Sequence, residues 1–196
     1  MIDIFAPNKM KVSAVILDSR KTIEIKDVIE KHMDYLPGWS YKHISDVRFQ
    51  EIQEFQLYLL TQNFWRRLIK YDKVLIFQYD SEILKEGIDE FLGYSHIGAP
   101  WKANFVGNTS DRRGGNGGIS VRDVRLHLEA LAKKPRPPKV WEDVWFSHNL
   151  PNVAPYQMCK KFSVESDFSL GSMCAHAIDK HLTPEQCQQI RTQYAT

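Results

Sequence analysis

The sequence predicts an α/β domain whose largely parallel sheet is flanked by helices. Two short runs, 12–17 and 74–77, are rich in apolar and β-branched residues, as buried parallel strands are. Stretches whose apolar residues recur at helical intervals lie between these runs and after them. Strands that alternate with helices are typical of a parallel sheet, and ligands bind such sheets beyond the carboxyl ends of the strands. Polar residues that follow a strand are therefore the first candidates for a site.

The composition is that of an ordinary globular protein with little net charge. The chain has 196 residues, 43% hydrophobic and 26% charged, so a single domain over 1–196 can bury its own core. A formal charge of only +2 argues against a nucleic-acid partner. Three cysteines without C-x-x-C spacing argue against a disulfide framework and indicate a reducing compartment. No run is apolar enough for a membrane span or a signal peptide, so we expect a soluble, cytoplasmic protein.

The first half of the chain predicts strands and helices largely in alternation. The strands are short and apolar and are expected at 12–17, 41–44, 74–77 and 94–98. The helices have apolar residues on one stripe and are expected at 22–33 and at 47–70. Thr22 is placed to cap the first of these helices, and Pro37-Gly38 stops it.

The second half is less regular. Residues 104–118 are polar and rich in glycine, which predicts a loop. An amphipathic helix is expected over 121–133, because Val124, Leu128 and Leu131 share one face. Thr183-Pro184-Glu185-Gln186 has the pattern of a capping box with proline in the first turn, and it predicts the start of a last helix.

Asp80-Ser81-Glu82 follows the strand at 74–77 and is the sharpest chemical feature of the sequence. In an extended chain, side chains two residues apart leave the same side, so both carboxylates would face one site. Two clustered carboxylates suit a hard divalent cation such as Mg²⁺ or Mn²⁺, which could neutralise a departing diphosphate. Alternatively, Glu82 begins a helix, where the helix dipole favours an acidic residue. The short D-x-E pattern leaves both interpretations open.

Four of the ten glycines lie in the segment Gly114-Gly115-Asn116-Gly117-Gly118. Such a segment lets a ligand approach the main chain closely, although an exposed surface loop has the same composition. The segment matches neither the P-loop nor the dinucleotide fingerprint G-x-G-x-x-G, so nucleotide binding through either device is not supported.

Trp141-Glu142-Asp143-Val144-Trp145 places two acidic residues between two tryptophans. A carboxylate here could act as a base toward a hydroxyl, and aromatic faces commonly line sugar sites. The alternative is the first turn of a helix, with the acidic residues at its amino end and the tryptophans in the core.

Two of the seven histidines, His176 and His181, lie in the C-terminal stretch. They are five positions apart, which is not the i, i+4 spacing of a helical metal pair. On the residues alone, each is more simply interpreted as a surface or packing residue than as a metal ligand.

Five short motifs follow one another along the chain in a fixed order. They are VLIFQYDSEIL at 74–84, IGAPW at 97–101, GNGGIS at 115–120, EDVWFS at 142–147 and FSVE at 162–165. In this order they resemble the small GT-A-type glycosyltransferases of large algal DNA viruses and of some bacteria. The resemblance covers about 12–176 and implies a single GT-A-like, Rossmann-like domain with a mixed, largely parallel sheet. It also implies a nucleotide-binding half at about 10–100 and an acceptor-side half at about 101–196.

The resemblance implies a metal-dependent enzyme that uses a UDP-sugar donor. Asp80 and Glu82 match the metal-binding D-x-D motif of these enzymes, with Glu in the second position. Mn²⁺ is the expected metal and Mg²⁺ the alternative. The residues that match donor-binding regions lie after the strands at 12–17 and 74–77 and in the glycine-rich turn: Asp18, Arg20, Gln78, Tyr79, Asp80, Ser81, Asn116, Gly117 and Gly118.

On the acceptor side, Glu142 and Asp143 match an acidic pair in which one carboxylate is the catalytic base. Many of these enzymes also use a late histidine as a metal ligand. His176 has about that place, although Ser172 and Cys174 replace the usual proline and glycine before it. The acceptor implied by the resemblance is a glycan or glycoprotein, such as a viral capsid protein modified in the host cytoplasm.

Two other classes of function are open at this point. A nucleotidyltransferase or a sugar-phosphate enzyme could use the same acidic residues, and it would turn over nucleoside triphosphates rather than nucleotide sugars. A non-catalytic carbohydrate-binding or assembly module would depend on the tryptophans. Its glycan binding would survive both chelation of metals and the substitution Asp80→Ala.

Overall fold

A computed structural model describes residues 10–18, 23–103, 105, 112–135 and 140–194. Its strands are β1 (Val12–Leu17), β2 (Ser40–Ile44), β3 (Lys73–Phe77), β4 (Ser81–Ile83), β5 (His96–Gly98), β6 (Ile119–Asp123), β7 (Ser163–Val164) and β8 (Cys174–His176). Its helices are α1 (Ile23–Met33), α2 (Ile52–Leu59), α3 (Gln62–Arg66), α4 (Val124–Lys133), α5 (Glu142–Asn149), α6 (Tyr156–Phe162), α7 (Ile178–His181) and α8 (Pro184–Thr192), with a 3₁₀ helix at Ile88–Phe91. In the described part of the chain, no helix has both the length and the apolar character that a membrane span requires.

The central sheet has five strands in the order β2-β1-β3-β6-β5. β1 pairs in parallel with β2 and β3, whereas β6 is antiparallel to both β3 and β5. The carboxyl ends of β1 and β3 therefore meet the amino end of β6 at one edge of the sheet. There the Gln78 N–H donates to the Gly118 carbonyl at 3.0 Å, which joins the end of β3 to the start of β6.

Both faces of this sheet are buried, which explains the continuous apolar runs of its parallel strands. Because successive side chains alternate, Ala14 and Ile16 face one side of β1 and Val15 faces the other. Residues of α1, α6 and the 3₁₀ helix pack on the first face, and residues of α2, α3, α4 and α5 pack on the second. Burying one large apolar side chain stabilises the folded state by about 1.5–3 kcal/mol. Because each layer buries many such side chains, the ends of β3 and β6 are held in fixed positions.

A second sheet of three strands, β4-β8-β7, holds the C-terminal part of the chain beside the end of β3. β4 is antiparallel to β8 and pairs Ser81 with His176, and β7 is parallel to β8. α7 and α8 pack on this sheet through a small apolar cluster. As a result, Asp80, which precedes β4, and Glu165, which follows β7, both lie beside His176.

The fold class predicted from the sequence is confirmed as a mixed α/β arrangement with a mainly parallel central sheet flanked by helices. The expected strands at 12–17, 41–44, 74–77 and 94–98 correspond to β1, β2, β3 and β5. The last helix has the expected capping box, in which the Thr183 side chain accepts from the Gln186 N–H and the Gln186 side chain accepts from the Thr183 N–H. The predicted cap Thr22 lies outside the described residues.

Two of the expected helices are wrong in extent. The stretch 47–70 contains two helices, because the Thr61 side chain accepts a hydrogen bond from the Phe64 N–H (3.3 Å) and starts α3 anew. The helix expected over 121–133 begins only at Val124, and the residues before it form β6. Asp123 separates the two elements, since its side chain accepts from the Leu126 N–H (2.9 Å) and caps α4.

Candidate active site

A cleft of about 210 Å³ opens at the edge of the sheet where β3 ends and β6 begins. Gln78 lines it from the end of β3, the turn 116–118 from the start of β6, Asp143 from α5 and His176 from the end of β8. Ligands bind α/β sheets beyond the carboxyl ends of the strands, so this cleft lies where the sequence predicts a site.

His176 lies between two carboxylates. Its Nε2 is 3.3 Å from Asp80 Oδ1, and its Nδ1 is 3.3 Å from Glu165 Oε1. Burial by itself lowers the pKa of His176, but the hydrogen bonds and charges of the two carboxylates outweigh burial and raise that pKa to about 9. The imidazole is therefore cationic at neutral pH in the protein alone.

Asp80 is held as an anion. Its Oδ2 accepts a hydrogen bond from Lys180 Nζ at 2.6 Å, in addition to the contact of Oδ1 with His176. Burial opposes ionisation of this carboxyl group, yet the hydrogen bonds and positive charges of His176 and Lys180 lower its pKa well below the usual range. Asp80 is consequently ionised at neutral pH, as a metal-binding carboxylate must be.

The atoms around His176 Nε2 fit a divalent cation that displaces the imidazole proton, because only the neutral ring can ligate a metal. Asp80 Oδ1 and Gln78 Oε1 lie 3.3 and 3.2 Å from this nitrogen, a spacing compatible with neighbouring ligands of one ion. Asp80 Oδ1 is buried, and apart from His176 it has no polar partner within the described residues. Those residues contain no group of three His, Cys, Asp or Glu side chains that could hold a metal by itself. A cation here would therefore need Gln78 and further ligands such as substrate phosphates.

Glu82 does not join this group, which corrects the expectation that Asp80 and Glu82 face one site. Asp80 lies in the turn before β4, so the two-residue alternation of an extended strand does not extend to it. Glu82 lies within β4, and its Oε1 accepts from Arg191 Nη2 at 2.6 Å. Arg191 also pairs with Asp179. Glu82 thus neither begins a helix nor stands beside His176 as a metal ligand.

The main chain of the glycine-rich turn lies close to His176 on one side and to Glu142 on the other. A Cβ on Gly118 would overlap the His176 ring, and a Cβ on Gly117 would overlap the Glu142 carboxylate. The Asn116 side chain closes the turn by accepting from the Gly118 N–H at 2.7 Å. These close approaches explain why two adjacent glycines are needed at this point.

Ser81, a predicted donor-binding residue, is turned into the fold. It is 4% exposed, and its hydroxyl donates to the Gly118 carbonyl at 3.3 Å and accepts from the Gln78 N–H at 3.2 Å. The hydroxyl therefore fastens the end of β3 to the glycine-rich turn, and it does not line the cleft.

Asp143 is a second carboxylate that lines the cleft. Its Oδ2 accepts from the Gly117 N–H at 3.0 Å and its Oδ1 from the Val144 N–H at 2.8 Å. Burial and the negative charge of Glu142 raise the pKa of Asp143 to about 7. A carboxylate with this pKa can accept a proton at neutral pH, as a general base does.

Glu142 lines the cleft beside Asp143, but its carboxylate is bound by Arg122, so Asp143 is the better candidate for a base. Its carboxylate oxygens accept from the Arg122 guanidinium at 2.6 and 2.8 Å, and the two side chains are only 0% and 1% exposed. A bidentate pair of this kind occupies both carboxylate oxygens. The pair ties α5 to β6 and so holds Asp143, the next residue, against Gly117.

The other predicted donor-binding residues lie at the same edge of the sheet or outside the described residues. Asp18 follows β1, and its N–H donates to the Ile44 carbonyl at 3.1 Å. Tyr79 follows β3 and is 48% exposed, with Lys180 Nζ 5.9 Å from the centre of its ring. Arg20 lies outside the described residues.

Sequence reasoning missed three charged residues that shape the site: Arg122, Glu165 and Lys180. Glu165 ends the FSVE motif, but nothing in that motif shows that it contacts His176. A clue to Arg122 is its place in the alternating run ISVRD, where a charged side chain on a buried strand requires a partner. Lys180 lies on the four-residue α7, which gives too weak a pattern for a prediction.

The solved structure described as a "glycosyltransferase involved in the glycosylation of the major capsid of PBCV-1" matches with a TM-score of 0.56 and 10% identity, covering 93% of this chain and 99% of that chain. A second structure, A197 from STIV, matches with a TM-score of 0.43 and 14% identity, covering 71% and 77%, which is too weak to support an argument. No curated protein matches the chain.

The chain thus shares its fold with a viral glycosyltransferase. The chain belongs to the family DUF5672, described as a protein of unknown function, whose model matches residues 38–179. That match contains β3, the glycine-rich turn, α5 and His176, so the whole of the cleft described above lies within the family's domain.

Proposed function

We propose that this protein is a glycosyltransferase that moves a sugar from a UDP-sugar to an acceptor hydroxyl. The observation that supports this most strongly is a pair of carboxylates with opposite properties: Asp143 lines the cleft, and Asp80 contacts His176, which also lines it. The pKa of Asp80 is lowered, whereas the pKa of Asp143 is raised to about 7. When two acidic residues of one site have pKa values far apart, the one with the low pKa can stabilise positive charge and the other can accept a proton. The fold shared with the PBCV-1 protein is consistent with the same class of reaction.

The donor diphosphate is proposed to lie beside Asp80, Gln78 and His176, which would hold a Mn²⁺ or Mg²⁺ ion. When bound, such an ion supplies the positive charge that stabilises a departing diphosphate. Lys180 stands 2.6 Å from Asp80 and would add a second cation at the same place. Glu165 contacts the other nitrogen of His176 and would fix the orientation of its ring.

Asp143 is proposed to be the base that accepts the proton of the acceptor hydroxyl. The Gly117 N–H holds its carboxylate at 3.0 Å, and the Arg122–Glu142 pair holds the helix on which it lies. As the proton moves to Asp143, the acceptor oxygen forms a bond to the anomeric carbon of the donor sugar. The bond from that carbon to the diphosphate oxygen breaks, and its electron pair leaves with UDP.

The acceptor is proposed to be a glycan or a glycoprotein. The PBCV-1 protein is described as involved in glycosylation of a major capsid. An acceptor of the same kind suits a cleft bordered by Phe105 and Trp141, because aromatic faces pack well on sugar rings.

Calorimetric titration with UDP, in Mn²⁺ and in EDTA, tests the donor assignment. We expect wild-type protein to bind UDP in Mn²⁺, and we expect Asp80→Asn to abolish this binding while the protein stays folded. Glu82→Gln is the matched control, since Glu82 is paired with Arg191 and should leave UDP binding unchanged. Screening UDP-sugars for transfer or slow hydrolysis then follows.

Absence of UDP binding in both Mn²⁺ and EDTA would contradict the proposal. Turnover of nucleoside triphosphates in place of nucleotide sugars would favour a nucleotidyltransferase. Glycan binding that persists in EDTA and in Asp80→Asn, with no UDP binding, would favour a carbohydrate-binding module.

A further inference from the structure

A second cleft, of about 440 Å³, lies next to the candidate active site. The two clefts share three lining residues, Phe105, Asn116 and Trp141. Glu165 also connects them, because it lines the second cleft and contacts His176 in the first. A molecule in the second cleft would therefore lie beside the reacting groups without occupying the place of the diphosphate.

The second cleft presents unusually exposed aromatic side chains. Trp141 is 45% exposed and Phe105 is 37% exposed, whereas the other four tryptophans of the chain are 8% exposed or less. Trp141 immediately precedes α5, so its exposed ring is close in sequence to Asp143. Exposed aromatic rings at the border of a polar cleft are costly in water and favour contact with a ligand that has an apolar face.

Polar groups alternate with these rings around the cleft. Glu165, which is 7% exposed, and the amide of Asn116 offer hydrogen-bonding groups. Trp101 also lines the cleft, and its buried Nε1 has no hydrogen-bond partner among the described residues. A sugar ring has one face of C–H groups and a rim of hydroxyl groups, so it matches aromatic surfaces flanked by carboxylate and amide groups.

The wall that contains Trp101 is fixed in place. Arg112 donates to the Trp101 carbonyl and pairs with Asp167 at 2.6 Å. Tyr156 donates to the same Asp167 carboxylate at 2.8 Å, and the Arg112 guanidinium lies 4.2 Å from the centre of the Tyr156 ring. A preformed wall lowers the cost of ordering side chains when a ligand binds.

We propose that this second cleft is a subsite for a neutral saccharide, which serves as the acceptor of the transfer. The proposal rests on the proposed function, because it identifies the class of acceptor for the same site. Glu165 and Lys102 both line the cleft, so its charges have opposite signs and a ligand without net charge is favoured over an anion or a cation. Its aromatic rings suit a sugar better than a serine or threonine side chain. The protein therefore extends an existing glycan, and another transferase must first attach the sugar that occupies this cleft.

Direct saccharide binding without donor tests this subsite separately from the donor assignment. The probe is a panel of methyl glycosides of neutral hexoses, deoxyhexoses and pentoses, observed by saturation-transfer NMR and by tryptophan fluorescence. We expect at least one glycoside to bind and to change the emission, because Trp141 is the exposed tryptophan. Trp141→Ala should weaken this binding about tenfold or more, and Trp141→Tyr, which keeps a ring, should restore most of it.

The controls separate a local loss from a folding defect. Tyr41→Ala removes an aromatic side chain that is 59% exposed on β2 and lines neither cleft, so it should bind the glycosides normally. Asp80→Asn should abolish UDP binding and leave glycoside binding intact. UDP binding without binding of any glycoside in the panel would overturn the subsite and leave the donor assignment standing. Glycoside binding that survives Trp141→Ala, or sugar transfer to bare serine peptides but not to glycosides, would also overturn it.

Discussion

Two acidic pairs of the sequence, Asp80 with Glu82 and Glu142 with Asp143, each place at least one carboxylate at or beside the cleft. In each pair an arginine binds one carboxylate, and the other carboxylate lines or borders the site. In both places, two acidic residues that are close in sequence thus separate into one that an arginine binds and one without an arginine partner at the candidate site.

The two arginine pairs differ in burial. The Arg122 and Glu142 side chains are 0% and 1% exposed, whereas the Arg191 and Glu82 side chains are 38% and 36% exposed. Water screens the second pair and leaves the first unscreened. The buried pair should therefore matter far more to stability, although both have good hydrogen-bond geometry.

The largest effect is expected from Asp143→Asn, which removes the proposed base and keeps the shape of the side chain. We expect kcat/KM for sugar transfer to fall about 10²–10⁴-fold, because general base catalysis contributes about that much. UDP binding should be unchanged, since the Asp143 carboxylate is held by the Gly117 and Val144 N–H groups and is not one of the proposed metal ligands. Transfer rates and UDP calorimetry measure the two quantities.

Asp34→Asn, an exposed aspartate that follows α1, is the matched control and should transfer at the wild-type rate. Wild-type kcat/KM in Asp143→Asn would remove Asp143 from the mechanism.

The next largest effect is on stability. Arg122→Leu leaves the Glu142 carboxylate buried without a partner, and breaking a buried pair in this way costs about 3–5 kcal/mol. For a chain of this size the melting temperature should fall on the order of 10 °C. Thermal and urea denaturation measure the change.

The double variant Arg122→Leu with Glu142→Leu distinguishes a buried unpaired charge from simple loss of packing. It should recover much of the stability lost in Arg122→Leu alone. A double variant that is less stable than either single variant would contradict this explanation.

Gly118→Ala should disturb the Asp80 side of the cleft by displacing a ring. The new methyl group would overlap the His176 imidazole, so His176 must leave its position beside Asp80. We expect UDP affinity in Mn²⁺ to fall about 10–100-fold, as when the orientation of a metal ligand is lost. Gly93→Ala is the control, because nothing lies within 4 Å of the Cβ position there, and it should bind UDP normally. Unchanged UDP affinity in Gly118→Ala would exclude His176 from the donor site.

Most of the central sheet could be predicted from the sequence, but one strand could not. Val124, Leu128 and Leu131 fit a helical stripe, so residues 121–123 are predicted to belong to the helix although they lie in β6. Only pairing with β3 and β5 shows that Val121 belongs to a strand. The strands β7 and β8 have two and three residues, which is too short for any periodicity to be detected.

The candidate site was predictable in part. Asp80 and Asp143 were identified from local motifs, but the motifs also included Glu82 and Glu142. Local spacing cannot show which member of an acidic pair has an arginine partner, because Arg191 is 109 positions away from Glu82. The contact of His176 with Asp80 likewise depends on the antiparallel pairing of β4 with β8, and the sequence suggested it only through a family resemblance.

The pH dependence of transfer follows from the raised pKa of Asp143. Only the ionised carboxylate can accept a proton, and its pKa is about 7. We therefore expect kcat/KM to be level above that pH and to fall about tenfold per pH unit below it. The acidic limb should be absent from the residual activity of Asp143→Asn. If kcat/KM of the wild-type protein stays constant down to the usual pKa of an aspartate, the base must be another group.

The smallest effect is expected from Arg191→Leu, whose loss of stability tests whether the exposed arginine pair matters less than the buried Arg122 pair. Arg191 binds both Glu82 and Asp179, but the Asp179 side chain is 66% exposed and the other two are more than one-third exposed. Each freed carboxylate can be solvated by water, so we expect a loss of about 1 kcal/mol or less, and less still in high salt. UDP binding should be unchanged, because Glu82 does not stand beside His176. A loss as large as that of Arg122→Leu would mean that α8 holds β4 in place, and that the edge carrying Asp80 depends on this surface pair.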